Sequence, residues 1–155
     1  MEKTNALRLL DASNIKYVVH EYDNNLTNGQ EIAKVLNKSE DEVFKTLVTV
    51  SNTKQHFVFV IPVNGTLNLK KAAKAVNVKS IEMIHQKELL PLTGYIHGGC
   101  SPIGMKKFFK TVIHETASKF DKILFSGGKI GYQVEVSLQD LSKVIKYDLA
   151  DIVVE

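Results

Sequence analysis

Apolar residues follow two different spacings along this chain, and the two alternate from end to end. Between positions 4 and 14, Leu7, Leu9 and Leu10 stand beside polar residues, the pattern of a short amphipathic helix. Residues 17–22 are rich in strand formers. Thr27-Asn28-Gly29-Gln30 has the form of a capping box, in which a hydroxyl and a carboxamide satisfy each other's free amides, and it predicts a helix to about Leu36. Ser39-Glu40-Asp41-Glu42 offers a second box of the same kind. Residues 44–51 and 57–63 carry the clearest strand patterns. The second is apolar at both parities, which predicts a strand covered on both faces.

After the Asn64-Gly65 turn, Leu69, Ala72, Ala73 and Val76 return to helical spacing, with Lys70, Lys71 and Lys74 on the other side. Residues 81–84 predict a short strand, and residues 85–90 a helical turn ended by Pro91. Residues 95–97 lead into the loop Gly98-Gly99-Cys100-Ser101-Pro102-Ile103-Gly104. Residues 111–114 are extended and 115–120 form a short helix; 123–126 and 132–136 are strands around a glycine-rich turn at 127–131. A helix with its own capping box, from Ser137 to Asp140, runs over 137–145. The expected fold class is α/β (α+β), a single domain over residues 1–155 with a mixed sheet and helices packed on it. The connections between 111 and 136 are too short for a βαβ series, so mostly antiparallel pairing is expected there.

Composition changes this picture little. A chain of 155 residues with 44% apolar and 24% charged residues can bury a core without disulfide or metal staples. Its one cysteine, Cys100, excludes an intramolecular disulfide. No apolar run approaches a membrane span, and the N-terminus lacks the apolar centre of a signal peptide, so a soluble, cytoplasmic protein is expected. Net charge is +3, and among the 20 basic residues Arg8 is the only arginine. An RNA partner would therefore be held through its backbone rather than by arginine forks on bases.

Several residues could carry chemistry. Lys45 interrupts an apolar strand; it is either a snorkelling lysine at a strand's start or a cation at the mouth of a pocket. The loop from Gly98 to Gly104 is either a tight turn or a backbone that approaches a ligand and points amides at it. Ser101 misses the nucleophile-elbow pattern because position 103 is Ile. Cys100 has no adjacent base in the sequence and reads as a small buried hydrophobe. The five histidines are scattered and give no metal-ligand spacing. Neither metal nor cofactor is expected. Lys106, Lys107 and Lys110 interleave with Phe108 and Phe109, either as a solvated basic turn or as a surface for an RNA stem.

Five segments go further when taken in order. They are Val43-Phe44-Lys45-Thr46-Leu47, residues 67–74, Thr93-Gly94-Tyr95, residues 98–107 and Ser126-Gly127-Gly128-Lys129. Together they resemble the YbaK/EbsC family, kin of the inserted editing domain of bacterial prolyl-tRNA synthetases, over nearly the whole chain. The resemblance implies a partly barrel-like mixed sheet and hydrolysis of the ester between a wrong amino acid and the tRNA terminal ribose. It implies that Lys45 is the central side chain, with Gly98 and Ser126 in the catalytic set. Tyr22, Thr46, Gly99, Cys100, Ser101 and Pro102 would bind substrate. Lys70, Lys71, Lys74, Lys106, Lys107 and Lys110 are candidates for tRNA contact. Gln133 stands where several relatives carry an acid, and Cys100 where relatives have an aliphatic residue.

The activity expected from the resemblance is removal of cysteine from tRNA(Pro), with the substrate's own thiol attacking the ester. Alternatives are the sister activity on Ala-tRNA(Pro), a non-catalytic module that binds tRNA or synthetase, and a Cys100 thiol hydrolase. A transient complex with prolyl-tRNA synthetase is expected; the sequence leaves the oligomeric state open, a monomer or a weak dimer.

Overall fold

A computed structural model describes residues 1–155. The elements in chain order are α1 (Asn5–Ala12), β1 (Val18–Glu21), α2 (Gly29–Val35), β2 (Phe44–Ser51), β3 (His56–Pro62), α3 (Leu69–Ala75), β4 (Ile81–Met83), α4 (Leu89–Thr93), β5 (Lys110–His114), β6 (Ile123–Ser126), β7 (Tyr132–Val136), α5 (Leu138–Leu141) and β8 (Asp148–Ala150). Single 3-10 turns precede α4 and follow β5.

The strands make two sheets. One is antiparallel, in the order β1-β7-β6; the other is mixed, in the order β4-β2-β3-β5-β8. They meet at one corner, where Val43 bridges Leu124 in parallel and the Leu124 amide donates to the Glu42 carbonyl at 2.9 Å. The sheet is thus partly barrel-like without closing.

The apolar run in β3 is explained by its position. Val58 and Val60 face the main core between the sheets, which α1 caps with Ala6, Leu7 and Leu10. Phe57, Phe59 and Ile61 face a second core under α3, against Ala72, Ala73 and Val76. Each such side chain contributes roughly 1.5–3 kcal/mol on burial, so a strand covered on both faces cannot alternate with polar residues.

Several boundaries differ from the sequence expectation. Antiparallel pairing holds for β6 with β7, but β5 runs parallel to both β3 and β8. The long connection from β3 through α3, β4 and α4 supplies the crossover that parallel pairing needs. Strand β8 has only three residues and no alternation to announce it. The N-cap of α2 is Asn28, not Thr27: its Oδ1 accepts from the amides of Gln30 and Glu31 at 2.9 and 3.1 Å. The Ser39–Glu42 box forms a single turn without a helix, with the Ser39 amide donating to the Glu42 carboxylate at 3.0 Å. Helix α4 continues through Pro91, tolerated in a first turn where its missing N–H has no partner anyway, and stops at Gly94 with φ +85°. Helix α5 ends at Leu141, short of 145: Ser137 Oγ caps it by accepting the Asp140 amide at 3.1 Å, and beyond it the chain continues in turns, with the amides of Lys143 and Val144 donating to the carbonyls of Asp140 and Leu141 at 3.0 Å.

Candidate active site

Strand β4 covers β2 only from Thr49 to Ser51, so Phe44 to Leu47 have a strand neighbour, β3, along one edge and none from β4 along the other. A cavity of about 330 Å³ opens there, walled by β2, α2, the loop after Tyr95, and the ends of β6 and β7. Six consecutive residues, Val43 to Val48, line it. Alternate side chains of a strand point to opposite faces, so a continuous run means that the cavity sees β2 edge-on, backbone included.

Lys45 stands half-buried in this wall and forms no ion pair. Burial alone pushes its ammonium below the ordinary lysine range. No acidic side chain lines the cavity, so Lys45 is its one permanent charge. Thr46, the next residue, also lines it; its Oγ1 is buried with no hydrogen-bond partner.

The glycine loop faces the cavity through Gly98 and Cys100. Gly98 has φ +88°, and a Cβ there would crowd Thr27 and Ile130. The Gly99 amide is taken by the Ile96 carbonyl at 3.0 Å, whereas the amides of Gly98 and Cys100 donate to nothing in the protein. The loop thus keeps two unspent backbone donors in residues that line the same cavity as Lys45, and donors of this kind can hold a developing oxyanion. Burial pushes the Cys100 thiol up to about 12, so it is a thiol at neutral pH and a poor nucleophile. This agrees with a packing role.

Ser126, at the end of β6, and its cross-strand partner Gln133, on β7, complete the wall. Ser126 Oγ accepts the Gly128 amide at 3.2 Å, which fixes it and leaves its hydrogen free to donate. Gln133 is only 5% exposed, and its Oε1 has no partner.

The structure therefore brings together Lys45, Thr46, Gly98, Cys100 and Ser126. It does not bring Gly99, Ser101 or Pro102 to the cavity surface. Gly99 packs on the turn at 129–130, and Ser101 is fully buried, its Oγ accepting the Ile103 amide at 3.3 Å. Pro102 is buried against a separate, smaller cavity. These three shape the loop from behind. Tyr22 lies beside the Gly131 turn, its amide donating to the Gly131 carbonyl at 3.0 Å; its hydroxyl is buried without a partner but does not line the cavity.

Among the basic candidates, Lys70, Lys74, Lys106, Lys107 and Lys110 are exposed. Lys71 is not a free cation: it pairs with Asp151 at 2.9 Å and donates to the Val153 carbonyl at 3.0 Å, tying down the C-terminal segment. Phe108 points outward, 54% exposed, while Phe109 packs in the core. Thr27, Gln86 and His97 line the cavity without having been singled out from sequence. Thr27 was masked by its resemblance to a cap; freed of that role by Asn28, it faces the site.

The aminoacyl-tRNA editing domain model matches residues 23–144. This chain belongs to the aminoacyl-tRNA editing domain family. A relative in Enterococcus faecalis, EbsC, described as a candidate Cys-tRNA(Pro)/Cys-tRNA(Cys) deacylase, is 40% identical over 153 residues, 97% of this chain and 93% of that protein. Among solved structures, a hypothetical protein superposes with TM-score 0.88 at 22% identity, over 97% of this chain and 99% of its own. A candidate trans-editing enzyme for prolyl-tRNA synthetase superposes with TM-score 0.86 at 20% identity, over the whole of both chains. At these identities the two structures establish the editing-domain fold. The family and the relative establish an enzyme that deacylates aminoacyl-tRNA.

Proposed function

We propose that this protein removes cysteine from mischarged tRNA(Pro), and that the nucleophile is the substrate's own thiol. The observation that carries this reading is the absence of any carboxylate from the cavity, together with a Cys100 thiol held protonated. The wall offers no pairing of a nucleophile with a carboxylate base. It offers donors: Lys45 and the amides of Gly98 and Cys100.

In the proposed step the cysteinyl sulfur attacks the ester carbonyl carbon, and the carbonyl oxygen gathers charge beside Lys45 and the free amides. The carbon–oxygen bond to the ribose then breaks. The ribose oxygen gains the proton the thiol gave up, and cysteine thiolactone leaves for hydrolysis in water. The relative's name supports the substrate, since EbsC is described as acting on Cys-tRNA(Pro) and Cys-tRNA(Cys).

The need for such an enzyme is physical. A synthetase pocket shaped for proline cannot strongly reject cysteine, because small side chains differ in binding by only ~1–3 kcal/mol. The exposed lysines 106, 107 and 110 suit phosphate contacts with the RNA. A small domain has little surface for reading a whole tRNA, so it gains specificity in a transient complex with prolyl-tRNA synthetase. Co-sedimentation that finds no association, with or without tRNA, would remove this last point.

The thiol step is tested by comparing Cys-tRNA(Pro) with Ser-tRNA(Pro), which differ by one atom. Cleavage of the cysteinyl ester alone is expected. Equal cleavage of both would exclude attack by the substrate sulfur, and cleavage of Ala-tRNA(Pro) in preference to either would assign the sister activity.

A further inference from the structure

The lining residues of the cavity record its depth. Phe44, Val48, Cys100 and Ser126 are buried and form the floor; Thr27, Met83, Gln86 and His97 are exposed and form the rim; Lys45 and Gly98 lie between them. A space of about 330 Å³ cannot admit an RNA chain. The aminoacyl group therefore enters, and the ribose, the leaving group, stays at the rim.

Four of the five histidines are engaged elsewhere. His20 pairs with Glu135 at 2.7 Å, and His114 Nδ1 accepts the Ile152 amide at 3.3 Å. His56 packs against Phe109 with ring centroids 5.6 Å apart, and His85 opens the 3-10 turn before α4, tied to Glu88 at 2.8 Å. Only His97 lines the cavity, and its imidazole has no hydrogen-bond or ion-pair partner in the protein. It immediately precedes Gly98, whose amide is unspent.

Attack by the substrate sulfur leaves one task without a group to perform it. The thiol must lose a proton, and the ribose oxygen must gain one, because an alkoxide leaves poorly. No carboxylate lines the cavity, and Lys45 as an ammonium can donate but not accept. Imidazole is the side chain that most readily takes and gives a proton near neutral pH. The sulfur and the ribose oxygen are bonded to the same carbon in the tetrahedral intermediate, so one imidazole can serve both.

We propose that His97 carries this proton. Its unprotonated ring nitrogen takes the proton from the thiol as the sulfur–carbon bond forms, and the imidazolium gives it to the ribose oxygen as the carbon–oxygen bond breaks. The imidazole ends as it began. This rests on the reading of the same cavity as a deacylase that uses the substrate's thiol.

The test is single-turnover cleavage of Cys-tRNA(Pro) by the wild type, His97→Ala and His97→Gln, with and without added imidazole and corrected for the enzyme-free rate. Both variants should stay folded, since the residue is exposed on a loop. Both should lose about a hundredfold in rate constant, with little change in the enzyme concentration that gives half the maximal rate. Imidazole should restore much of the rate to His97→Ala and add nothing to the wild type. A rate constant within about threefold of the wild type in either variant would overturn the proposal and leave the deacylase reading intact. So would a loss that imidazole does not restore, which would assign His97 to binding or loop shape. No cleavage by the wild type would overturn both.

Discussion

Gly99 lies directly on the backbone of Ile130: a Cβ added to it would sit 3.0 Å from the Ile130 nitrogen and 3.1 Å from the Lys129 carbonyl carbon. The two glycine-rich stretches, 98–104 and 127–131, are therefore one unit packed backbone to backbone. One presents Gly98 and Cys100 to the cavity; the other follows Ser126 and returns the chain to Gln133. Neither turn can shift without the other. Gly99→Ala should destabilise the protein by about 1–3 kcal/mol, because backbone atoms must yield to make room. The loss is read as a lower urea midpoint at unchanged slope. Activity at a temperature where the variant is still folded should also fall, since the displaced loop carries the free amides.

Lys45 should behave oppositely in stability and activity. Burial holds its ammonium below the ordinary range without an ion pair to compensate, so folding disfavours the charged form. That penalty is full at pH values below the depressed folded pKa and is relieved as pH rises through it toward the unfolded value. Lys45→Met removes the charge and keeps the stem. It should melt no lower than the wild type at pH 7 while losing at least about a hundredfold in deacylation, the usual scale for a lost oxyanion donor. A large drop in melting temperature would show that the lysine is structural.

Cys100 should be dispensable for chemistry. Its thiol is 8% exposed and pushed up to about 12. Cys100→Ala should cost roughly 1 kcal/mol of packing and leave the rate constant for Cys-tRNA cleavage within about threefold. In the folded wild type, alkylation by iodoacetamide at pH 8 should be far slower than in urea. Rapid labelling of the native protein together with loss of activity would restore Cys100 as a nucleophile.

His114 gives the fold an acid limit. It is 5% exposed, and burial pushes its imidazole down, against a smaller opposing pull from Asp151. Its Nδ1 accepts the Ile152 amide at 3.3 Å, a contact that requires that nitrogen unprotonated. Because the folded pKa lies below the unfolded 6.5, its stability contribution is complete above pH 6.5 and is lost as pH falls through the folded value. Urea midpoints between pH 7.5 and 5 should decline in the wild type, and less so in His114→Gln. Identical slopes for the two proteins would assign the decline to other groups.

Much of this site can be read from the chain because its parts are local. Lys45 and Thr46 announce themselves by interrupting an apolar strand, and the glycines by clustering. What the chain does not display is which neighbour each local feature meets. Ser101 and Pro102 sit in the same loop as Gly98, yet the φ of +88° at Gly98 and the packing of Gly99 on Ile130 turn them to the back. Lys71 is one residue from exposed Lys70, but Asp151, 80 residues away, claims it. By its spacing alone Gln133 reads as an ordinary polar position on a strand, marked only by the acid that several relatives carry there. Only the pairing of β7 with β6 sets it beside Ser126, facing a cavity. The parallel pairing of β5 with β3 and β8 was hidden for the same reason, since short segments with similar composition do not declare direction.

The most direct measurement is deacylation of Cys-tRNA(Pro) and Ala-tRNA(Pro), side by side, by the wild type and Lys45→Ala. Rapid loss of cysteine by the wild type, little loss of alanine, and no enzymatic loss of either in the folded variant are the expected results. Full activity in Lys45→Ala, or no cleavage of either substrate by the wild type, would contradict the account.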